Sequence, residues 1–319
     1  MTGNRRILLG DVGGTNLRLA VYDGKNCGPI TTLSRAAYAD IDEAITAHLH
    51  DSTAPALDAI ALAVAGPVQN GRIVMTNADW QLDTAALQQR FGLSAVWLVN
   101  DFVATAWALP HFSSDALRQF GGGTPEHAAP KAACGPGTGL GVSAFLPAVD
   151  GGYAMASEAG HMTLAGQDAG EDAVLAVLRQ RFGHASAERA LSGPGLENLH
   201  QAMATVEKQP AASRPAAEIL AAAQDGSCDL CRRTVGMFCA LLGSFAGDLA
   251  LAFDARGGLY LAGGIVPRML DLLDKSTFRA RFEAKGRFRS QLERIPVFAV
   301  LHPESAILGL QAMVDRNAV

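Results

Sequence analysis

Hydrophobic positions fall in short clusters whose period changes along the chain. Residues 5–10 read as a short buried strand; over 16–23, Leu17, Leu19 and Val21 alternate with Arg18, Ala20 and Tyr22, the period of a half-buried strand. Between them Asp11-Val12-Gly13-Gly14-Thr15 supplies a double-glycine turn, so the segment predicts a hairpin. Residues 40–49 carry a helical pattern and 59–65 an apolar strand closed by Gly66-Pro67. Another strand over 94–99 stops at Asn100-Asp101, and a helix over 102–109 ends before Pro110. Strands alternating with helices predict an α/β layer architecture.

The pattern then recurs. A loop over 121–130 offers a domain start, and residues 131–134 lead into Gly135-Pro136-Gly137-Thr138-Gly139-Leu140-Gly141 and the apolar run 142–149. Strand, glycine turn and strand thus appear twice, about one domain length apart. They read as a degenerate internal duplication, each half with one phosphate-facing turn. Residues 209–224 read as a surface connection followed by a helix. Residues 232–252 read as a long buried helix, with Gly243 and Gly247 on one face for close packing. A strand over 258–262 precedes Gly263-Gly264, and Val266-Pro267 opens a helix with proline in its first turn.

Composition adds limits. A length of 319 residues fits two domains, and 49% hydrophobic with 18% charged residues marks a globular chain. With 31 acidic against 26 basic residues the net charge is −5, which argues against a nucleic-acid surface. Five cysteines, odd and sparse, read as reduced thiols of a cytoplasmic protein. Ile7-Leu8-Leu9 is too short for a signal peptide. The run 237–253, broken by Ser244 and Asp248, is expected to fall short of the ~18 residues of a membrane span.

The turns carry the candidate chemistry. Gly13 and Gly14 reach positive φ without penalty, which would let N–H groups converge on an anion, and Thr15 adds a hydroxyl. Asp11 beside phosphates suggests Mg²⁺ held through water. The second turn, Gly135 to Gly141, is neither a dinucleotide fingerprint nor a P-loop, since no Gly-Lys-Ser/Thr follows. Two glycine hairpins facing one another would grip a triphosphate from both sides. Gly263-Gly264 would let a flat base or ribose lie against bare backbone; alone it reads equally as a strand-to-helix turn.

Asn100 and Asp101 sit where α/β sheets bind ligands, beyond a strand's carboxyl end. An aspartate there can accept a hydroxyl proton in phosphoryl transfer, whose loose transition state releases that proton late. Alone it reads equally as the cap of the helix from Phe102. Glu158 and His161 share one turn, and Glu188 lies in Ala185-Ser186-Ala187-Glu188-Arg189. Asn, Asp, Glu and His together suit a polyhydroxylated ligand, whose hydroxyls both donate and accept. Cys228-x-x-Cys231 is half a zinc pattern, with Cys239 further on; no second cysteine pair or His-x₃-His accompanies it, so structural zinc is not expected.

In this order the motifs resemble those of the bacterial glucokinases, a hexokinase-like branch of the actin-type ATPases. The resembling segments are Gly10 to Asn16, Val99-Asn100-Asp101-Phe102, Gly135 to Gly141, Glu158-x-x-His161, Glu188-Arg189 with Leu191-Ser192-Gly193-Pro194-Gly195, and Leu261 to Arg268. The resemblance implies a two-lobed, actin-like (ribonuclease H-like) α/β fold with a central cleft. One lobe would be 1–110, joined by a returning helix over 302–319; the other would be 111–301. It implies ATP-dependent phosphorylation of the 6-hydroxyl of glucose, the entry step of glycolysis, with ATP and Mg²⁺.

Phosphate contacts would come from Gly10, Asp11, Val12, Gly13, Gly14, Thr15, Gly137, Thr138 and Gly139, and adenosine contacts from Gly263 and Gly264. Glucose ligands would be Asn100, Asp101, Glu158, His161 and Glu188, with Asp101 the general base. A cytoplasmic homodimer is expected, with no nucleic acid or membrane as partner. Pro136 stands where the family usually has alanine, which removes one N–H. Leu17 occupies a position that is often alanine. The family's zinc-bearing Cys-x-Cys-Gly-x₂-Gly-Cys segment is absent, which implies the zinc-free branch. Another hexose, polyphosphate as donor, or an inactive sugar-sensing regulator are the alternatives. Against the last, Asp101 is present and few residues precede the first strand, leaving no room for a helix-turn-helix.

Overall fold

The computed structural model describes residues 5–50, 56–74, 80–210 and 212–317, so residues 318–319 of the expected C-terminal helix lie outside the described residues. The chain divides into two units, Met1–Phe112 with Pro303–Val319, and Ser113–His302.

Unit 1 opens with the hairpin β1 (Ile7–Val12) and β2 (Asn16–Tyr22), followed by β3 (Thr31–Ser34), α1 (Ile41–His50) and β4 (Ala59–Val64). A small ribbon, β5 (Arg72–Val74) and β6 (Gln81–Asp83), leads to α2 (Thr84–Phe91), β7 (Ala95–Asn100) and α3 (Asp101–Ala108). The main sheet has the order β3-β2-β1-β4-β7, with β1, β4 and β7 mutually parallel. Side chains alternate across the pleat. Leu8, Ile60 and Leu62 therefore pack toward α1 and α2, and Ile7, Leu9, Ala61 and Ala63 toward the opposite layer.

Unit 2 contains β8 (Leu117–Phe120), β9 (Lys131–Pro136), β10 (Leu140–Leu146) and β11 (Tyr153–Ser157). A helical layer follows: α4 (Ala169–Phe182), α5 (Ala187–Ala190), α6 (Gly193–Val206), α7 (Ala216–Gln224) and α8 (Asp229–Ala252). The unit closes with β12 (Leu259–Leu261), α9 (Leu270–Asp274), α10 (Phe278–Glu283), α11 (Arg289–Leu292) and β13 (Val297–Val300). Its sheet order is β11-β10-β9-β12-β13-β8. Strands β11, β10 and β9 form an antiparallel meander, and β9, β12 and β13 run parallel. Unit 1 has the same plan, so the duplication visible in two turns extends to the topology.

The segment expected to begin a helix at Val266-Pro267 is a single 3₁₀ turn, Val266–Arg268. The long helix α8 begins three residues earlier than its pattern predicts. At 24 residues it is long and apolar enough by composition to cross a membrane, contrary to expectation, but most of its apolar window is buried inside the protein. Gly243 and Gly247 do what their spacing suggested. A Cβ on either would collide with a carbonyl of α10, at Phe278 or Phe282.

Helix α12 (Ser305–Asn317) returns to unit 1 and packs on α3, with Ile307, Leu310 and Val314 closing the second face of the sheet. Gly309 permits this contact, because a Cβ there would overlap the backbone carbonyl of Ala104. In an isolated helix Gly→Ala gains about 1 kcal/mol, whereas overpacking costs about 1–3 kcal/mol. Backbone cannot swing aside, so the clash outweighs the gain and we expect Gly309→Ala to lower stability by up to about 2 kcal/mol. Urea unfolding checks this; an unchanged or raised midpoint would show that α12 shifts freely on α3.

Candidate functional site

In unit 1 the site begins with register. Val12, Val64 and Asn100 are aligned across the parallel strands β1, β4 and β7. Gly13 and Asp101 therefore leave the sheet at the same edge, two strands or about 10 Å apart. Asn100 is the N-cap of α3: its Oδ1 accepts the Phe102 N–H at 2.8 Å, and its Nδ2 donates to Gly66 O at 3.1 Å. Asp101 is the first helical residue, one earlier than the pattern predicted, so the cap is Asn100 and not Asp101. The Asp101 Oδ1 also accepts the Phe102 N–H, at 3.0 Å. Its carboxylate is half-buried in the first turn, where unpaired N–H groups favour negative charge.

The first glycine turn is closed by Gly13 N–H donating to Asn16 O at 3.0 Å. The backbone reason offered for its glycines is corrected: neither Gly13 nor Gly14 has positive φ, and the same holds for Gly137 and Gly139. Space is the better explanation. A Cβ on Gly14 or Gly137 would meet no other atom within 4 Å, so both turns present bare backbone to open space. Gly10 differs, because it is buried in β1 and a Cβ there would lie 2.5 Å from Leu62 Cδ2. Its glycine is explained by packing. Val12 is likewise a core side chain and offers only backbone, while Thr15 is exposed on the turn.

Asp11 faces Arg18 across the hairpin, with Oδ2 accepting from Nη1 at 2.9 Å. Burial pushes its carboxyl pKa up, and the Arg18 charge and hydrogen bond oppose that shift. One oxygen is thus taken by Arg18. The other remains for a water on a hard cation, so the donor set fits Mg²⁺ held indirectly.

Unit 2 gathers its polar residues around Leu140, the first residue of β10. Glu188 Oε2 accepts the Leu140 N–H at 2.9 Å. Gly160 lies so close to the Leu140 carbonyl that a Cβ there would overlap it. That contact holds the turn carrying Glu158 and His161 against the same residue. A short pairing reinforces it: Ala187 N–H donates to Met162 O at 2.8 Å and Leu164 N–H to Ala185 O at 3.0 Å. Glu158 and His161 are exposed, with Oε2 and Nε2 3.9 Å apart. Glu188 also reaches the second glycine turn, since a Cβ on Gly139 would lie 2.6 Å from its Oε2.

The nucleotide candidates converge beside them. Strands β9 and β12 run parallel with Cys134 opposite Leu261, so Gly137 and Gly263 follow neighbouring strand ends. Gly263 does need its glycine: φ is +88°, and a Cβ would lie 2.6 Å from Pro136 O. Gly264 is exposed beside it, with space around its Cα. The Gly137 carbonyl accepts the Gly193 N–H at 2.8 Å, which docks the start of α6 onto this turn. Ser192 caps that helix by accepting the Gly195 N–H at 2.9 Å. Sequence reasoning misses Gly193, although a serine followed by Gly-Pro is a helix-start signal that points to it.

Each unit thus ends a strand in a glycine turn with open space beside Gly14 or Gly137, and in unit 2 Glu158, His161 and Glu188 gather near that turn. Both units are α/β layers of one plan, each with its glycine turn at a strand end. The glucokinase family profile matches residues 8–317. A glucokinase of Aromatoleum aromaticum is 43% identical over 312 residues, covering 97% of this chain and 94% of that protein. One from Yersinia pestis is 41% identical over 317 residues, covering 97% and 96%. The crystal structure of a glucokinase from an Antarctic psychrotroph superposes with a TM-score of 0.89 at 33% identity, covering 97% of this chain and 98% of that one. The chain belongs to the glucokinase family.

Proposed function

We propose that this chain transfers the γ-phosphoryl group of ATP to the 6-hydroxyl of glucose, giving glucose 6-phosphate and ADP. The observation that carries this reading is the match to glucokinases at 41–43% identity along nearly the whole chain. The local geometry supports a division of labour. Asn100, Asp101, Glu158, His161 and Glu188 bind the sugar. Bare backbone at Gly13, Gly14, Gly137 and Gly139, with the hydroxyls of Thr15 and Thr138, receives the phosphates. Gly263 and Gly264 accommodate the adenosine.

In the chemical step the Asp101 carboxylate accepts the proton of the 6-hydroxyl. The sugar oxygen bonds to the γ-phosphorus, the bond from that phosphorus to the β–γ bridging oxygen breaks, and ADP leaves with the electron pair. An ordinary carboxylate suffices as base, because the loose transition state places orientation ahead of basicity. Asp11 would hold Mg²⁺ through water, which when bound supplies charge neutralisation for the phosphates. Glu188 plays two parts, since its bond to the Leu140 N–H fixes one oxygen and leaves the other for a sugar hydroxyl. A ribonuclease H-like description of each sheet, supported by the shared strand order, belongs to this reading. So do a cytoplasmic homodimer and the absence of nucleic-acid or membrane partners.

A coupled assay for ADP tests the proposal, run with glucose, mannose and an amino sugar and with ATP or polyphosphate as donor. The expected result is ADP release that depends on glucose and ATP. Turnover with only another hexose, or only with polyphosphate, would replace the substrate; no turnover with any pair would leave a sugar-sensing protein.

A further inference from the structure

A second cluster of reactive side chains lies within unit 2, among helices α6, α7 and α8. Cys228 is the N-cap of α8, Cys231 stands in its first turn, and His200 projects from α6. One ring nitrogen of His200 and the two sulfurs all lie within 4.8 Å of one another. Both thiols are free. Cys231 is fully buried and His200 is only 2% exposed, while Cys228 is half-exposed. The Nδ1 of His200 is buried without a hydrogen-bond partner. A buried polar atom left unpaired is costly, and such atoms in folded proteins point to a missing ion or water.

The local backbone suits a thiolate. Cys228 Sγ accepts the Cys231 N–H at 3.3 Å, the position a capping oxygen occupies elsewhere, so the helix N-terminus stabilises negative charge on that sulfur. The Cys228 N–H donates to Ala222 O at 3.3 Å, which fixes the cap against α7. Arg214 is near enough for its charge to act on all three side chains, while burial pushes the Cys231 thiol up to about 11.

We propose that His200, Cys228 and Cys231 form a binding site for a soft divalent cation, with Zn²⁺ the best match. Thiolate and imidazole are the ligands Zn²⁺ prefers. A tetrahedral ion spaces such ligand atoms about 3.5–3.8 Å apart, so small side-chain rotations close the cluster. Three protein ligands leave the fourth position to water, which reaches the site past half-exposed Cys228, and the ion is therefore exchangeable. Bound metal ties α6 to α8. Because α6 begins at the glycine turn through Gly193 and Gly137, the tie steadies the helix that supports that turn. A Cys228–Cys231 disulfide is the rival use of the same pair, but it leaves the His200 nitrogen unsatisfied.

The test uses reduced, chelator-treated full-length protein titrated with Co²⁺ and then Zn²⁺. The expected result is a set of thiolate-to-cobalt charge-transfer and tetrahedral ligand-field bands, which Zn²⁺ bleaches at one equivalent per chain. Zn²⁺ should also raise the unfolding temperature of the parent. Cys228→Ser should abolish the charge-transfer bands and the Zn²⁺ shift while remaining folded, since serine is a good helix cap. His200→Gln should weaken binding without removing the thiolate bands. The proposal is overturned by the absence of bands in the reduced parent, by bands that survive Cys228→Ser, or by a Cys228–Cys231 disulfide that forms despite saturating Zn²⁺.

Discussion

Asp101→Ala is expected to lower kcat on glucose and ATP by roughly 10²- to 10⁴-fold while glucose still binds. Its position explains both halves of the result. Asp101 lies at the carboxyl edge of the sheet, on the first residue of α3, so its side chain serves the edge more than the core. Loss of a first-turn charge costs about 0.3–1 kcal/mol, a small fraction of the ~5–15 kcal/mol that holds a protein folded. A folded, sugar-binding, nearly inactive variant is therefore the expected outcome. Asp101→Asn sharpens the comparison, because an amide oxygen keeps an acceptor for the Phe102 N–H but takes up no proton. Steady-state kinetics with a direct measurement of glucose binding decide the matter. Near-normal turnover in the alanine variant would remove Asp101 from the role of base.

The second large effect concerns stability. Arg281 of α10 holds Glu171 of α4 through two bonds, Nη1 to Oε1 at 2.7 Å and Nη2 to Oε2 at 2.8 Å. Its Nε donates to Ser244 Oγ on α8 at 3.1 Å, and the Gln167 N–H donates to Glu171 Oε2 at 2.8 Å. Glu171 is only 3% exposed, so the pair sits where water cannot replace a lost partner. Arg281→Met should destabilise unit 2 by about 3–5 kcal/mol, because it strands a buried carboxylate. Adding Glu171→Gln should recover most of that loss, since the penalty comes from the uncompensated charge. Urea unfolding of both single variants and the double variant tests this as a cycle. A loss in the double variant equal to the sum of the singles would show that the two residues act independently.

Local signals in the sequence were strong at the turns and weak between them. The β1–β2 hairpin was legible because its alternation and its two glycines agree. Helix α8 was legible from its long apolar pattern, although the start at Asp229 was hidden by a cysteine acting as cap, a role usually taken by an oxygen side chain. Strands β8 and β13 have four residues each, too few to show a period. Beyond the β1–β2 pair, the order β3-β2-β1-β4-β7 was not legible. Strands β1 and β4 are apolar on both faces, and neither carries a side-chain pattern that selects its neighbour.

The candidate site divides along the same line. By itself the sequence determined which residues stand at turns and strand ends, because glycine, proline and capping side chains act on the backbone within a few residues. It thereby nominated the glycine turns and Asn100-Asp101, and it also suggested positive φ at Gly13 and Gly14, which a bare, open turn does not need. Only the tertiary structure decided that Glu188 reaches the Leu140 N–H, that Arg281 neutralises Glu171, and that His200 meets Cys228 and Cys231. Each of those contacts joins segments far apart in the chain. Packing of sheets and helices sets their distances, and no local preference encodes it.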